Sequence, residues 1–386
     1  LRSLDAGAER LRCPLCGGNS AALPLAHSSQ SMLSDGRIIA RTLAKLSCMT
    51  CGAAFHASET SRPDIREIYS SDYALAGAAP KSDAARARAY CRWIQSECST
   101  PRAILEIGCG SGALLRGLLS AWPAAKGYGI DPALPEAGRS DNRIRLERGF
   151  IEDIPRDWQG FDLIVAVNVI EHVPNPGAFL AALQSRLAPN GNIVIVCPAA
   201  EPPNVELLFF DHLYSLTPSA LRAASKPTSL VAAKQTSAPR EIGDFQMLVF
   251  NRADDATGTS LQGDRPFPDL HARRQSYLER WSELDQTLLD RSKPGAPLVA
   301  FGAGQTAAML RAYAPRTWAR VGLIMLDDIN EAWTLGPPIA SYQDAVQNLA
   351  GAEVLIAASP HAQNAIADRL RNDGMRPIEW NDLIPN

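Results

Sequence analysis

Leu105-Glu106-Ile107-Gly108-Cys109-Gly110-Ser111-Gly112 decides how this 386-residue chain is read. The β-rich run Ala103–Ile107 enters a turn with glycine at every second position and leaves into an apolar stretch over 113–119. Glycines let the backbone pass close beneath a ligand, and the start of the following helix offers unpaired N–H groups. In phosphate-binding folds such a turn cradles a pyrophosphate. Here Glu106 sets a carboxylate just ahead of the glycines, and a carboxylate suits an ammonium group rather than a phosphate.

Outward from this turn, short β-rich runs alternate with helical or turn-rich stretches. Gly127-Tyr128-Gly129-Ile130, Ile144-Arg145-Leu146, Leu163-Ile164-Val165-Ala166-Val167 and Ile193-Val194-Ile195-Val196 follow in order. That alternation predicts a parallel sheet wound with helices. Asp131, at the end of the next run, stands where a ribose with two hydroxyls accepts bidentate hydrogen bonds, with a helix cap ahead of Pro132 as the competing reading. A helix is predicted over 83–98, capped by Asp83, with Tyr90, Trp93, Ile94 and Cys98 near helical spacing. The Ser-, Lys-, Pro- and Ala-rich stretch 225–240 reads as a connection. A helix is expected over 268–291, followed by a second β/α series with strands at Leu298–Phe301, Val321–Leu326 and 353–357.

Cysteines sharpen the N-terminal reading. Cys13, Cys16, Cys48 and Cys51 form two Cys-x-x-Cys pairs, each closed by glycine at Gly17 and Gly52. Such knuckles aim paired thiolates at one tetrahedral ion, and four cysteines leave no open position for substrate, so a structural zinc is expected. Redox pairs or a disulfide framework are the alternatives, although a chain of this length needs no disulfide staples. Cys91, Cys98, Cys109 and Cys197 read as packing residues.

The Gly-x-Gly-x-Gly turn and Asp131, with Phe161-Asp162-Leu163-Ile164-Val165, Val169-Ile170-Glu171-His172-Val173 and Leu187-Ala188-Pro189-Asn190-Gly191, resemble the class I S-adenosylmethionine-dependent methyltransferases. The resemblance implies that Gly108, Gly110 and Gly112 flank the aminocarboxypropyl group, that Glu106 orders the loop and that Asp131 holds the ribose. It also implies that Phe150 and Ile151 edge the adenine, for which core packing is the competing reading, and that Asn168 lines the methionine side.

The order of cysteine knuckles, methyltransferase and second Rossmann-like unit resembles the C-methyltransferases of nucleotide-linked 4-keto deoxysugars. Their tyrosine-rich segment is matched by Ile68-Tyr69-Ser70-Ser71-Asp72-Tyr73, and their Glu-His-Leu-x-Tyr block by Asp211-His212-Leu213-Tyr214-Ser215. Asp211 replaces the usual glutamate, and Gly243-Asp244-Phe245-Gln246 stands where a Gly-Gly-Ser-like strand is expected. The resemblance implies carbon methylation, in which a ketone acidifies the neighbouring C–H and an imidazole removes the proton. His212 is then the base, tuned by Asp211 or another carboxylate. His172 is a second candidate where the substrate approaches, and Tyr73 closes over the sugar or orients the enolate. Pocket shaping is the plainer role for His212, helix capping for His172 and anchoring of the chain for Tyr73.

The expected fold is α/β, a central Rossmann-like class I methyltransferase sheet with a small N-terminal zinc-binding domain and a C-terminal Rossmann-like β/α domain. The boundaries are 1–70 for zinc, 71–240 for the methyltransferase, 241–290 for a linker and helical connection, and 291–386 for the C-terminal unit. Gly302-Ala303-Gly304 also resembles a dinucleotide turn, but no redox partner accompanies it, so a substrate-holding or structural lobe is expected instead of an NAD site. The expected cofactors are S-adenosylmethionine and structural zinc, and the expected partner is a small molecule, a nucleotide-linked sugar. O- or N-methylation of a small natural product or glycan is the main alternative.

A net charge of −3 with 46% hydrophobic residues gives a globular chain with no global field for a polyanion. The N-terminal stretch carries no basic-aromatic stripe, which argues against RNA methylation and nucleic-acid binding. No apolar run reaches the ~20 residues of a membrane helix and the opening residues lack signal-peptide order, so no membrane partner and a cytoplasmic location are expected.

Overall fold

The computed structural model describes residues 12–58, 64–70, 80–134, 142–253, 267–331 and 333–384. Its central sheet has seven strands in the order Leu230–Ser237, Phe245–Arg252, Leu187–Pro198, Phe161–Val167, Ala103–Ile107, Lys126–Asp131 and Ile144–Arg148. All run parallel except Phe245–Arg252, which is antiparallel to both neighbours. Alternate side chains explain why the strand sequences are apolar without a break. Leu105, Ile107, Ile164, Ala166, Ile193 and Ile195 pack on one face against helices Pro176–Arg186 and Pro218–Ser225. Ile104, Leu163, Val165, Val194 and Val196 pack on the other, against Pro80–Glu97 and Ala113–Ala121.

From Ala103–Ile107 the chain winds outward through two neighbouring strands and then returns to the opposite side at Phe161–Val167. This reversal opens a crevice at the carboxyl ends of the two strands, where ligands bind in open α/β sheets. The glycine turn sits on one lip and Asn168 on the other.

The stretch 225–240 is not a free connection. Leu230–Ser237 is the edge strand, and only Leu230 and Ala232 of it are buried. Its outer half, Lys234-Gln235-Thr236-Ser237, is polar because it has no sheet beyond it. The central unit therefore runs past 240 to Arg252, and the expected linker 241–290 supplies both the strand Phe245–Arg252 and the helix Pro268–Arg291. That helix joins the C-terminal core through Tyr277, Leu278, Trp281, Leu284 and Leu288. The C-terminal unit holds a five-stranded parallel sheet, ordered Ile339–Ser341, Val321–Leu326, Leu298–Phe301, Glu353–Ile356 and Arg376–Ile378.

The N-terminal unit also departs from a boundary at residue 70. Its sheet, Ser20–Ala22, Lys45–Cys48 and Ala54–His56, takes a fourth strand, Tyr214–Ser215, from the central unit. Cys13, Leu46, Cys48, Cys51 and Phe55 share one buried cluster with Leu105 and Ile195, so this small unit has no core of its own. Among the described residues, no helix is long and apolar enough to cross a membrane.

Candidate active site

The glycine turn owes its shape to backbone that L side chains rarely adopt: Gly108, Gly110 and Gly112 have φ of 71°, 50° and 77°. A Cβ at Gly108 would lie 2.5 Å from Val169 Cγ2. The turn is fastened to the neighbouring strand by Gly108 N–H to Ile130 O at 2.9 Å. Asp131 accepts from Gly110 N–H at 2.8 Å with one carboxylate oxygen and from Ala133 N–H at 2.7 Å with the other. It is thus both a cap and the strut of the turn. Burial outweighs these two donors and pushes its pKa up.

Across the crevice, Asn168 has a left-handed φ of 56°, and its buried Oδ1 has no hydrogen-bond partner. A strained, unsatisfied polar residue at a strand end is what a ligand would complete. Glu106 is buried on the same wall. Phe150 and Ile151 are half-buried and line the opening, where Arg66 stacks 4.5 Å above the Phe150 ring. Ile151 packs against the core with one face, as its packing reading expects.

The cavity has a volume of about 1450 Å3. That exceeds the range of about 300–1,000 Å3 usual for one small ligand, so it has room for a cofactor and an acceptor together. Glu171, His172 and His212 stand at its inner wall, and Ser34 of the N-terminal unit reaches it. The C-terminal unit contributes Gln305, Thr306, Ser359 and His361.

Glu171, His172 and His212 are 2%, 8% and 4% exposed, so water hardly reaches them. One oxygen of Glu171 and one nitrogen of each ring lie within 4.8 Å of one another. The two rings meet edge to face at 4.7 Å. His172 Nδ1 is 2.9 Å from the Asp211 carbonyl oxygen, which only accepts, so Nδ1 carries the hydrogen and Nε2 keeps its lone pair. Tyr69 O–H lies 3.1 Å from the same nitrogen. Burial holds the pKa of His172 below the ordinary imidazole value, and burial together with His172 holds that of His212 well below it. Both rings are neutral near pH 7. Glu171 has no hydrogen bond to either carboxylate oxygen, and burial pushes its pKa up to about 8.

The structure brings His212, His172 and Asp211 together, but Asp211 does not orient His212. Its carboxylate accepts from Ser34 N–H at 2.8 Å and Ser34 Oγ–H at 2.6 Å, and lies 3.8 Å from His172 Nδ1. Tyr73 lies outside the described residues. Glu171, Tyr69 and Glu206 enter the site without having been singled out in the sequence as site residues. Glu171 and Tyr69 stood inside quoted motifs and Glu206 in none, and the packing of all three around the two rings depends on tertiary contacts.

In the N-terminal unit, the sulfur atoms of Cys13, Cys16, Cys48 and Cys51 lie within 4.8 Å of one another, with Cys13 to Cys51 at 3.7 Å and Cys16 to Cys48 at 3.5 Å. Tetrahedral zinc–sulfur bonds of about 2.3 Å set the sulfurs roughly 3.8 Å apart. Backbone N–H groups of Gly18, Thr50 and Cys51 point at Cys16 and Cys48 sulfur, at 3.3, 3.4 and 3.4 Å. These cysteines are free thiols, and their donor set and spacing fit a zinc ion.

Comparison with known proteins addresses the central unit. Residues 82–231 match the family described as the methyltransferase domain. The matched stretch holds the glycine turn, Asp131 and Asn168. The ubiquinone biosynthesis O-methyltransferase of Azorhizobium caulinodans is 32% identical over 99 residues, which cover 24% of this chain and 38% of that one. The mitochondrial ubiquinone biosynthesis O-methyltransferase of Schizosaccharomyces pombe is 27% identical over 108 residues, covering 26% and 39%. The chain thus spans well under half the length of these curated relatives.

Among solved structures, the Burkholderia thailandensis 1,6-didemethyltoxoflavin-N1-methyltransferase, bound to its substrate and S-adenosylhomocysteine, aligns with a TM-score of 0.41 at 17% identity. That alignment covers 52% of this chain and 95% of that one.

Proposed function

We propose that this enzyme transfers the methyl group of S-adenosylmethionine to a small-molecule acceptor whose proton is taken by His212. The observation that carries the reading is a pair of buried imidazoles in edge-to-face contact at the inner wall of a cavity whose other wall is the glycine turn. Gly108, Gly110, Gly112 and Asn168 would hold the amino-acid end of the cofactor, and Asp131, Phe150 and Ile151 the nucleoside. Bound there, S-adenosylmethionine supplies an electrophilic methyl group, and the S–C bond pair returns to sulfur as the acceptor takes it.

What remains for the chain is alignment and one proton. His212 Nε2 accepts the hydrogen from the carbon beside a ketone, the C–H bond pair becomes an enolate, and that carbon forms the new bond to methyl. The imidazolium then returns its proton to water. His172, held by the Asp211 carbonyl, lies against the base and limits its approach angle. The finer acceptor we propose is a nucleotide-linked keto-deoxysugar. It is supported by the likeness of the whole domain order and by the polar wall that the C-terminal unit gives the cavity. O-methylation of a small molecule is the second reading, supported by the relatives that match the central domain. Zinc at the four cysteines is proposed as structural.

His212→Asn keeps approximate size but cannot take a proton near neutral pH. Methyl transfer to a panel of nucleotide-linked ketosugars should fall by ~10²–10⁴ with cofactor affinity unchanged, since general-base catalysis contributes about that much. Near-normal turnover refutes the base. Release of label from the carbon beside the ketone selects C-methylation, and retention with methyl transfer selects oxygen.

A further inference from the structure

We infer that Glu206 is the positioning residue for His212, forming a buried Glu–His pair that fixes the hydrogen on Nδ1 and leaves Nε2 to face the acceptor. The inference rests on the proposed role of His212 as proton acceptor.

Glu206 lies in the short 3-10 turn Val205–Leu208, whose start is set by the Asn204 side chain accepting from Glu206 N–H at 3.1 Å. The residue is 3% exposed. One carboxylate oxygen accepts from Ser215 Oγ–H. The other, Oε2, makes no hydrogen bond and lies 3.5 Å from His212 Nδ1, which also has none. Two buried polar atoms, each without another partner, face one another at just beyond hydrogen-bond length. Leaving a buried polar group unpaired is costly, so a small closure that makes Nδ1–H donate to Oε2 satisfies both.

The charges around the pair favour that arrangement. Lys45 and Arg274 are buried near Glu206. Arg274 donates to Ser47 Oγ at 3.0 Å and to Ser215 Oγ at 3.4 Å. Burial pushes the Glu206 pKa up, while Lys45, Ser215 and Arg274 pull it back. The groups facing His212 are His172 and Lys45, which disfavour its charged form, Asp211, which favours it, and Glu171 beside it on the same wall. Asp211 is committed to Ser34, which leaves Glu206 as the carboxylate at the His212 ring nitrogen. An anion against Nδ1–H stabilises the imidazolium that forms when Nε2 takes a proton, and it forbids the opposite tautomer.

The test is nitrogen-15 NMR of the full chain with labelled histidine, the His212 signals being assigned by their loss in His212→Asn. The expected result in the unaltered protein is the neutral ring with hydrogen on Nδ1, and hydrogen on Nε2 overturns the inference whatever any variant does. In Glu206→Gln the Nδ1–H signature should give way to a mixture of tautomers while S-adenosylhomocysteine affinity stays unchanged, and Glu206→Asp should recover it in part. An unchanged His212 signature in Glu206→Gln also overturns the inference. The failure modes separate cleanly. A wrong tautomer refutes the Glu206 role alone, whereas normal turnover in His212→Asn refutes the base and leaves the tautomer standing.

Discussion

Replacing Asp131 tests the cofactor site where its geometry is most specific. Both carboxylate oxygens are committed, to Gly110 N–H at 2.8 Å and to Ala133 N–H at 2.7 Å, and each retains a lone pair that points away from its donor. Hydrogen bonds to a charged group contribute roughly 1.5–3 kcal/mol each, so Asp131→Ala removes up to about 3–6 kcal/mol of gross interaction. The variant leaves Gly110 N–H and Ala133 N–H without their acceptor, and we expect a net stability loss of about 1–3 kcal/mol. Ligand binding adds a separate loss. If the free lone pairs hold the ribose hydroxyls, S-adenosylhomocysteine affinity falls by a further ~1–3 kcal/mol, about 5- to 150-fold. Calorimetric titration gives the affinity, and urea unfolding on the same sample gives the stability. Affinity within about twofold of the unaltered protein, together with the loss of stability, would refute the ribose role and leave Asp131 as a strut.

Cys48→Ser should abolish stoichiometric zinc, measured by elemental analysis, and loosen the N-terminal unit, because structural metal contributes folding free energy directly; zinc-free protein purified without chelator would refute the site. Glu171, whose folded pKa of about 8 stands above its ordinary 4.5, stabilises the fold fully below about pH 4.5 and loses that contribution as pH rises through about 8. The loss amounts to roughly 5 kcal/mol, so urea unfolding at about pH 5 and about pH 9 should show a fall that Glu171→Gln abolishes; parallel curves would show the carboxylate ionised throughout. Gly108→Ala places a methyl 2.5 Å from Val169 Cγ2 on a backbone with φ of 71°, and should cost about 1–3 kcal/mol and most cofactor binding; intact affinity would mean that the turn relaxes freely.

The sheet strands were legible because strands covered on both faces are apolar throughout, as in Leu163-Ile164-Val165-Ala166-Val167. The edge strand Leu230–Ser237 was not, since its polar half carries the composition of a loop. The glycine turn and Asp131 followed from local sequence, where glycine spacing and the acidic strand end are only a turn or a strand apart. The wall that carries the two histidines did not. Asp211 adjoins His212 in sequence and for that reason looked like its partner, but it lies in the turn that precedes His212, where Ser34 takes up its carboxylate. Glu206, Lys45 and Arg274 meet only through folding, and nothing in the local pattern around Lys45 or Arg274 marks them as neighbours of an active site.

The pairing of Tyr214–Ser215 with the cysteine-bearing sheet gives the two halves of the cavity different foundations. The stretch carrying His212 is stitched to the N-terminal unit by strand pairing with Phe55, by His56 Nε2–H to Phe210 O at 2.9 Å, by Phe210 N–H to Met32 O at 2.8 Å and by Thr217 Oγ–H to Cys51 O. The glycine turn is anchored instead to its own sheet. A preparation whose cysteines have been oxidised or stripped would therefore keep its grip on S-adenosylhomocysteine while its histidine wall drifts. Cofactor binding alone would certify such a sample as sound when it had lost the geometry for transfer.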